Sequence, residues 1–187
     1  IKKIKRVAKI IIDYKKKNYK VIVVSSAMSG VTNELIKKSF EISDSFSESE
    51  HDVLVSSGEQ VACSLIAGRL IHEGYESRSW LSWQIPILTK GKYKNSRINQ
   101  INKGNIIEYL KKGGIPVVTG FQGINDENRI TTIGRGGSDA SAIMLAKFFK
   151  AERCIIYTDV EGVYTTDPNK LKNAKKIKVI SYEEMLE

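Results

Sequence analysis

With 187 residues, 41% of them hydrophobic, the chain fits one compact domain with a sizeable core, and no apolar run approaches the ~20 residues of a membrane span. Two cysteines, Cys63 and Cys154, are too few and too far apart for a disulfide framework or a metal knuckle, which points to a reducing cytoplasm, and two histidines, His51 and His72, give little basis for histidine or zinc chemistry. The net charge of +9 comes from 30 Lys plus Arg against 21 Asp plus Glu, but the lysines are scattered without aromatic interleaving, which argues against a nucleic-acid partner and for a solvated surface that favours anionic substrates.

Residues 1–19 place Ile4, Val7, Ala8, Ile11 and Ile12 on one face of an expected helix, with lysines on the other. The stretch Ile10-Ile11-Ile12 is too brief for a signal peptide. Val21-Ile22-Val23-Val24 is a β-branched run of the kind buried on both faces of a parallel sheet. It ends in Ser25-Ser26-Ala27-Met28-Ser29-Gly30, a turn into a helix over 32–40. Residues 43–50, rich in Ser and acid, read as a surface loop, and 52–56 are ambiguous between strand and helix. A helix over 59–72 follows, started by Gly58-Glu59 and carrying Val61, Leu65, Ile66 and Leu70. Residues 80–87 are aromatic and β-prone, 89–99 polar, 101–112 helical up to Gly113-Gly114, and Ile115-Pro116-Val117-Val118-Thr119 a strand ending at Gly120-Phe121-Gln122-Gly123. The tryptophans, Trp80 and Trp83, suit core and rim packing. A further strand is expected over 153–158.

Between these lies Thr131-Thr132-Ile133-Gly134-Arg135-Gly136-Gly137-Ser138-Asp139-Ala140-Ser141, which reads as strand, tight loop and helix. Such a loop suits anions. Glycines allow positive φ and close approach of a ligand, and the first turn of the helix offers unpaired N–H groups and partial positive charge. Taken alone it is also compatible with an ordinary capped helix, with Ser138 or Asp139 as N-cap. It lacks the third glycine of the dinucleotide pattern, and no Gly-Lys-Ser/Thr follows any glycine loop. The alternation of helix, β-branched strand and glycine turn gives an α/β domain with a mostly parallel sheet flanked by helices. Ligands then gather at the carboxyl ends of the strands, where residues 26–30, 120–123, 134–139 and 158–159 should share one rim.

A second informative stretch is Thr158-Asp159-Val160-Glu161-Gly162-Val163-Tyr164-Thr165-Thr166-Asp167-Pro168. With the glycine loop, Ser26 to Asn33, Ser57-Gly58-Glu59, Asn95-Ser96-Arg97-Ile98, Gly120 to Gly123 and Ser181 to Leu186, it resembles the amino-acid kinase superfamily and, within it, the aspartokinases. Seven blocks in the same order make the resemblance specific. It implies a three-layer αβα sandwich, ATP and Mg²⁺ as co-substrate and cofactor, and phosphorylation of the aspartate side-chain carboxylate, the first step of the lysine, threonine and methionine pathway. Partners implied are aspartate and ATP, with no membrane, and the complete protein is expected to be a homo-oligomer.

Arg135 suits the α-carboxylate because a guanidinium grips it through two parallel hydrogen bonds. Glu59 suits the α-ammonium, or alternatively caps its own helix. Ser26, Thr32 and Ser138 can orient the reacting carboxylate. Asp139, the catalytic candidate, positions Mg²⁺ or neighbouring donors rather than acting as a base, since a carboxylate nucleophile has no proton to lose. Gly136, Gly137, Thr158, Asp159 and Tyr164 match the nucleotide-binding residues. Three departures stand out. The family's Lys-Phe-Gly-Gly loop precedes Ile1, Asn169 stands where arginine is usual, and the kinase domain and its regulatory domains are expected to continue past Glu187. The segment is thus expected to be truncated at both ends and poorly active alone. A sibling kinase for another small acid, or a non-catalytic ligand-binding or assembly module, stays open.

Overall fold

The run Ile115-Pro116-Val117-Val118-Thr119 is buried along its whole length, and helices cover both of its faces. The computed structural model describes residues 2–134, 136–158, 173–175 and 177. In chain order the elements are α1 (Lys2–Lys16), β1 (Val23–Ser25), α2 (Val31–Ile42), α3 (Glu48–His72), β2 (Ser77–Trp80), β3 (Ile87–Lys92), β4 (Asn95–Ile101), α4 (Gly104–Lys111), β5 (Ile115–Thr119), β6 (Gln122–Ile124), β7 (Ile130–Thr132) and α5 (Gly137–Phe149).

The first sheet has the order β1-β5-β2 and is parallel throughout. Side chains of β5 alternate between its faces, as the strand repeat requires. Ile115 and Val117 pack with Ala8, Ile11 and Ile12 of α1 and Cys63, Ile66 and Leu70 of α3. Val118 packs the other way, with Trp80, with Ile106 of α4 and with Leu145 of α5. Helices on both faces of a parallel sheet make the αβα sandwich. Each such side chain, fully buried, contributes about 1.5–3 kcal/mol.

The second sheet has the order β4-β3-β6-β7, with antiparallel outer pairs and a parallel β3–β6 pair. Between β5 and β6 the chain passes from the first sheet to the second through just Gly120 and Phe121. Gly123 lets β6 lie directly on β3, since a Cβ there would stand 2.3 Å from Thr89 Cγ2 and 2.6 Å from Ile87 O.

Several expectations are corrected. The ambiguous residues 52–56 and the helix expected to start at Gly58-Glu59 belong to one 25-residue helix, α3, whose N-terminal turns also take in the end of the expected loop. Serine hydroxyls stay inside the helix by bonding back to it, Ser56 Oγ to Val53 O at 2.9 Å and Ser57 Oγ to Leu54 O at 2.7 Å. The polar segment 89–99 is a hairpin, because its buried face carries Thr89 and Ser96 in place of apolar residues. The run Val21 to Val24 is only half-buried, since β1 lies at an edge of the described sheet and β5 takes the central place. Residues 153–158 form no β ladder among the described residues. Their side chains turn to α1 and the segment after it, with the Tyr157 hydroxyl donating to Tyr14 Oη at 3.3 Å and the Arg153 guanidinium 5.8 Å from the Tyr19 ring centre. Trp80 is buried with its ring edge-on to Tyr109, whereas Trp83 is exposed.

Candidate functional site

Three chain segments meet at the carboxyl ends of β1, β5 and β7, and the absence of side chains lets them do so. Gly120 donates its N–H to Ser25 O at 3.0 Å, which ties the ends of β5 and β1 together. A Cβ on Gly120 would lie 3.0 Å from that of Ser138, so the start of α5 rests directly on the end of β5. Gly137 is buried under the ring of Phe121, where a Cβ would come within 2.6 Å of Cδ2. Phe121 holds φ 65°, a rare conformation for an aromatic residue, and is fixed by its N–H to Ser141 Oγ at 3.0 Å and by its carbonyl accepting Ile133 N–H at 2.9 Å. Gly136 opens α5 in the left-handed region at φ 67°. The first turn of α5, with Ser138 and Asp139, therefore faces the common rim.

Glu59 is brought to the same rim from the middle of α3. Gly58 is the local reason, since a Cβ there would meet Ala27 Cβ at 3.0 Å and Val31 Cγ1 at 3.2 Å, so α3 presses against the turn into α2. The Ala27 N–H then donates to Glu59 Oε1 at 3.1 Å. Oε2 is buried with no hydrogen-bond partner among the described residues. Burial pushes the Glu59 carboxyl up to about 7, partly offset by the Ala27 hydrogen bond. The helix-capping alternative is overturned, because Glu59 lies eleven residues into α3 rather than at its start.

Ser26 is exposed just beyond β1 and Thr32 half-buried in the first turn of α2, whose N-cap Gly30 has φ 85°. Ser26, Thr32, Glu59, Ser138 and Asp139 thus surround one rim. Asp139 is half-buried, and burial raises its carboxyl above the usual range. The charge of Asp139 also raises the Cys154 thiol, after burial, so the segment carrying Thr158 passes near the start of α5. Thr158 itself is exposed. Arg135, Asp159 and Tyr164 lie outside the described residues, as do Asp167, Pro168 and Asn169. Among the described residues no group of three or more His, Cys, Asp or Glu could hold a metal ion, and no helix is long and apolar enough to cross a membrane.

Sequence reasoning missed Asp52 and Ser141. Asp52 is fully buried in the second turn of α3 and accepts from β7 and from the hairpin tip. Ser141 Oγ accepts Phe121 N–H and donates to Gly137 O at 2.7 Å, so it braces the glycine loop from within α5. A polar residue on the buried face of an otherwise apolar helix is the signal that would have marked either.

The amino acid kinase family matches residues 2–187. An aspartokinase of Rickettsia conorii is 48% identical over 190 residues, covering 100% of this chain and 47% of that protein. The chain thus spans about half the length of the curated relatives it matches. Among solved structures, an aspartate kinase from Synechocystis superposes with a TM-score of 0.74 at 37% identity, covering 93% of this chain and 29% of that one. Aspartokinase III of E. coli, in complex with aspartate and ADP, superposes with a TM-score of 0.71 at 25% identity, covering 84% of this chain and 46% of that one.

Proposed function

This chain belongs to the amino acid kinase family, and we propose that it carries the site for ATP-dependent phosphorylation of the side-chain carboxylate of L-aspartate, giving 4-phospho-L-aspartate and ADP. The observation that carries this reading is Glu59, a buried carboxylate whose Oε2 lacks a partner and whose titration is displaced to about 7. Such a group is unfavourable until a cation arrives, and an α-ammonium supplies the charge and the donors together. An acid without an amino group leaves Oε2 unsatisfied, which favours an amino acid over other small acids and a ligand site over an assembly surface. The likeness to relatives named for this activity supports the same reading.

In this reaction a side-chain oxygen of aspartate attacks the γ-phosphorus of ATP, and the bond from that phosphorus to the β,γ-bridging oxygen breaks. No proton is abstracted, so the protein's task is placement and charge. Glu59 and Arg135 would hold the two ends of the amino-acid group. Ser26, Thr32 and Ser138 would turn the reacting carboxylate towards the phosphate. The first turn of α5 would receive phosphate oxygens, with Gly136 and Gly137 allowing the close approach and the Gly137 N–H held by Gly134 O at 3.1 Å, and with Thr158, Asp159 and Tyr164 on the nucleotide side. One half-buried carboxylate at a phosphate-facing helix start fits Mg²⁺, which binds through one or two carboxylates plus phosphates and water. Asp139 would hold it there, and the ion would neutralise charge developing on the phosphates. The product would open the lysine, threonine and methionine pathway.

The test is hydroxamate trapping of the acyl phosphate by the full-length protein. Arg135→Ala should chiefly raise the KM for aspartate, at a cost of ~2–4 kcal/mol in kcat/KM, whereas Asp139→Asn should chiefly lower kcat. Unchanged aspartate saturation in Arg135→Ala would remove the assignment of the α-carboxylate.

A further inference from the structure

Asp52 takes no part in the reaction just described, yet it touches both elements that lead to the glycine loop. It is fully buried. Its Oδ2 accepts Thr132 N–H at 2.7 Å and its Oδ1 accepts the Thr132 hydroxyl at 2.8 Å. The N–H of Lys94, which has φ 62° at the tip of the β3–β4 hairpin, reaches Oδ2 at 3.0 Å and Oδ1 at 3.2 Å. One carboxylate therefore joins the last residue of β7 to the hairpin tip. Two residues beyond Thr132 comes Gly134, with φ +81°, where a Cβ would lie 3.1 Å from Asn95 Oδ1 and 3.2 Å from Lys94 O. The hairpin tip is the wall on which the glycine loop starts, and Asp52 holds the wall and the start of the loop at a fixed spacing.

The neighbouring pairs Lys94–Glu48 and Arg129–Glu50 join the same surfaces through exposed side chains, which water screens. Buried, directional bonds to two backbone amides fix geometry in a way those pairs do not. We propose that Asp52 is a positioning residue for the amino-acid site: by locking Thr132 to the hairpin tip it sets where Gly134, and with it the start of the glycine loop, stands. This rests on the reading of Arg135 as the carboxylate binder, because Arg135 follows Gly134 directly.

The variant to make is Asp52→Asn in the full-length protein. It keeps the shape but replaces a charged acceptor with a neutral one: with its oxygen at the Oδ2 position it accepts both amides through weaker bonds, while its NH₂ stands at the Oδ1 position, 3.2 Å from the Lys94 nitrogen. The KM for aspartate should rise about tenfold and the KM for ATP less, since Gly134 is displaced first and the phosphate-side turn of the loop has a second brace in Ser141 Oγ. The amides of Thr132 and Lys94 should exchange about ten times faster, while those of Val117 and Val118 keep their protection. Leu70→Ala, in the core between α1 and α3, serves as the comparison. It should lower Tm and leave both KM values unchanged. If Asp52→Asn behaves as Leu70→Ala does, with lower Tm and unchanged KM for aspartate, the proposal is overturned. If it fails to fold, Gly134→Ala, which strains the same contact from the loop side, must give the rise in KM for aspartate, and an unchanged value overturns the proposal. Should the wild-type protein not phosphorylate aspartate, the functional reading fails by itself. The clamp is then judged by amide exchange over residues 134–138 in Asp52→Asn, where unchanged protection overturns it.

Discussion

Asp52 and Glu59 stand two turns apart on α3, so they share one face of a single helix, yet the molecule treats their carboxylates oppositely. Asp52 has main-chain donors on both oxygens and a hydroxyl besides. Among the described residues Glu59 has one donor on Oε1 and nothing on Oε2. A carboxylate that the fold satisfies completely belongs to the scaffold, whereas one left half-satisfied in a buried place costs stability and is kept for something that binds there. On the proposed reading the contrast separates a part that positions the site from a part that meets the ligand, although both are buried carboxylates on one helix.

The largest effect should come from breaking the ligand-facing member. Glu59→Gln removes the counter-charge of the ammonium and should lower kcat/KM for aspartate by roughly 30- to 1000-fold, the equivalent of ~2–4 kcal/mol, while weakening succinate as a competitor far less. Equal losses for both ligands would assign Glu59 to the scaffold. The same variant should flatten a pH profile. With the carboxyl at about 7, aspartate affinity in the wild type should fall about tenfold per pH unit below that value, because only the ionised form meets the ammonium.

A smaller effect, but of opposite sign for the two residues, is expected in the ligand-free protein. The Glu59 carboxyl is raised in the fold from 4.5 to about 7. The folded state therefore binds the extra proton between those values, and the cost of ionising it in place is absent below about 4.5 and complete above about 7. Glu59→Gln should then raise stability at pH 8 by as much as ~3 kcal/mol and leave it unchanged at pH 4. Asp52→Asn should lose on the order of 2 kcal/mol at pH 8, because two amides bonded to a buried side chain exchange a charged acceptor for a neutral one. Thermal melts of both variants at pH 8 check this, and shifts of the same sign would dissolve the contrast.

The smallest effect should follow from moving Glu59 without changing it. Gly58→Ala puts a methyl 3.0 Å from Ala27 Cβ and should cost ~1–3 kcal/mol of stability as the turn into α2 gives way. A few-fold rise in the KM for aspartate, with that for ATP unchanged, is the expected reading.

The same two carboxylates explain how much was legible in the sequence. The second half of α3 was readable because Ile66 and Leu70 keep helical spacing on a buried face. The first half was not, because Asp52, Ser56 and Glu59 occupy buried positions where the pattern calls for apolar residues. Buried polar groups thus erased the periodicity that would have revealed the element. The hairpin over β3 and β4 was obscured in the same way by Thr89 and Ser96, whereas the apolar run of β5 was plain because it has only packing to do. The glycine loop and Glu59 stand out as candidate site residues from motif and charge. Asp52 does not, since a lone aspartate beside serines looks like any polar surface until the fold closes over it.

An α-helix also fixes lengths. Between Asp52 and Glu59 the backbone advances about 10 Å at ~1.5 Å per residue, and each residue turns the next by about 100°. The gap between the hairpin clamp and the ammonium pocket is therefore measured by main-chain hydrogen bonds and by nothing softer. One residue added or removed in the serine-rich stretch before α3 would be absorbed at the surface without shifting either carboxylate. The same change between 52 and 59 would swing Glu59 off the rim, so of the two stretches only the second has a length that natural variation is not free to alter.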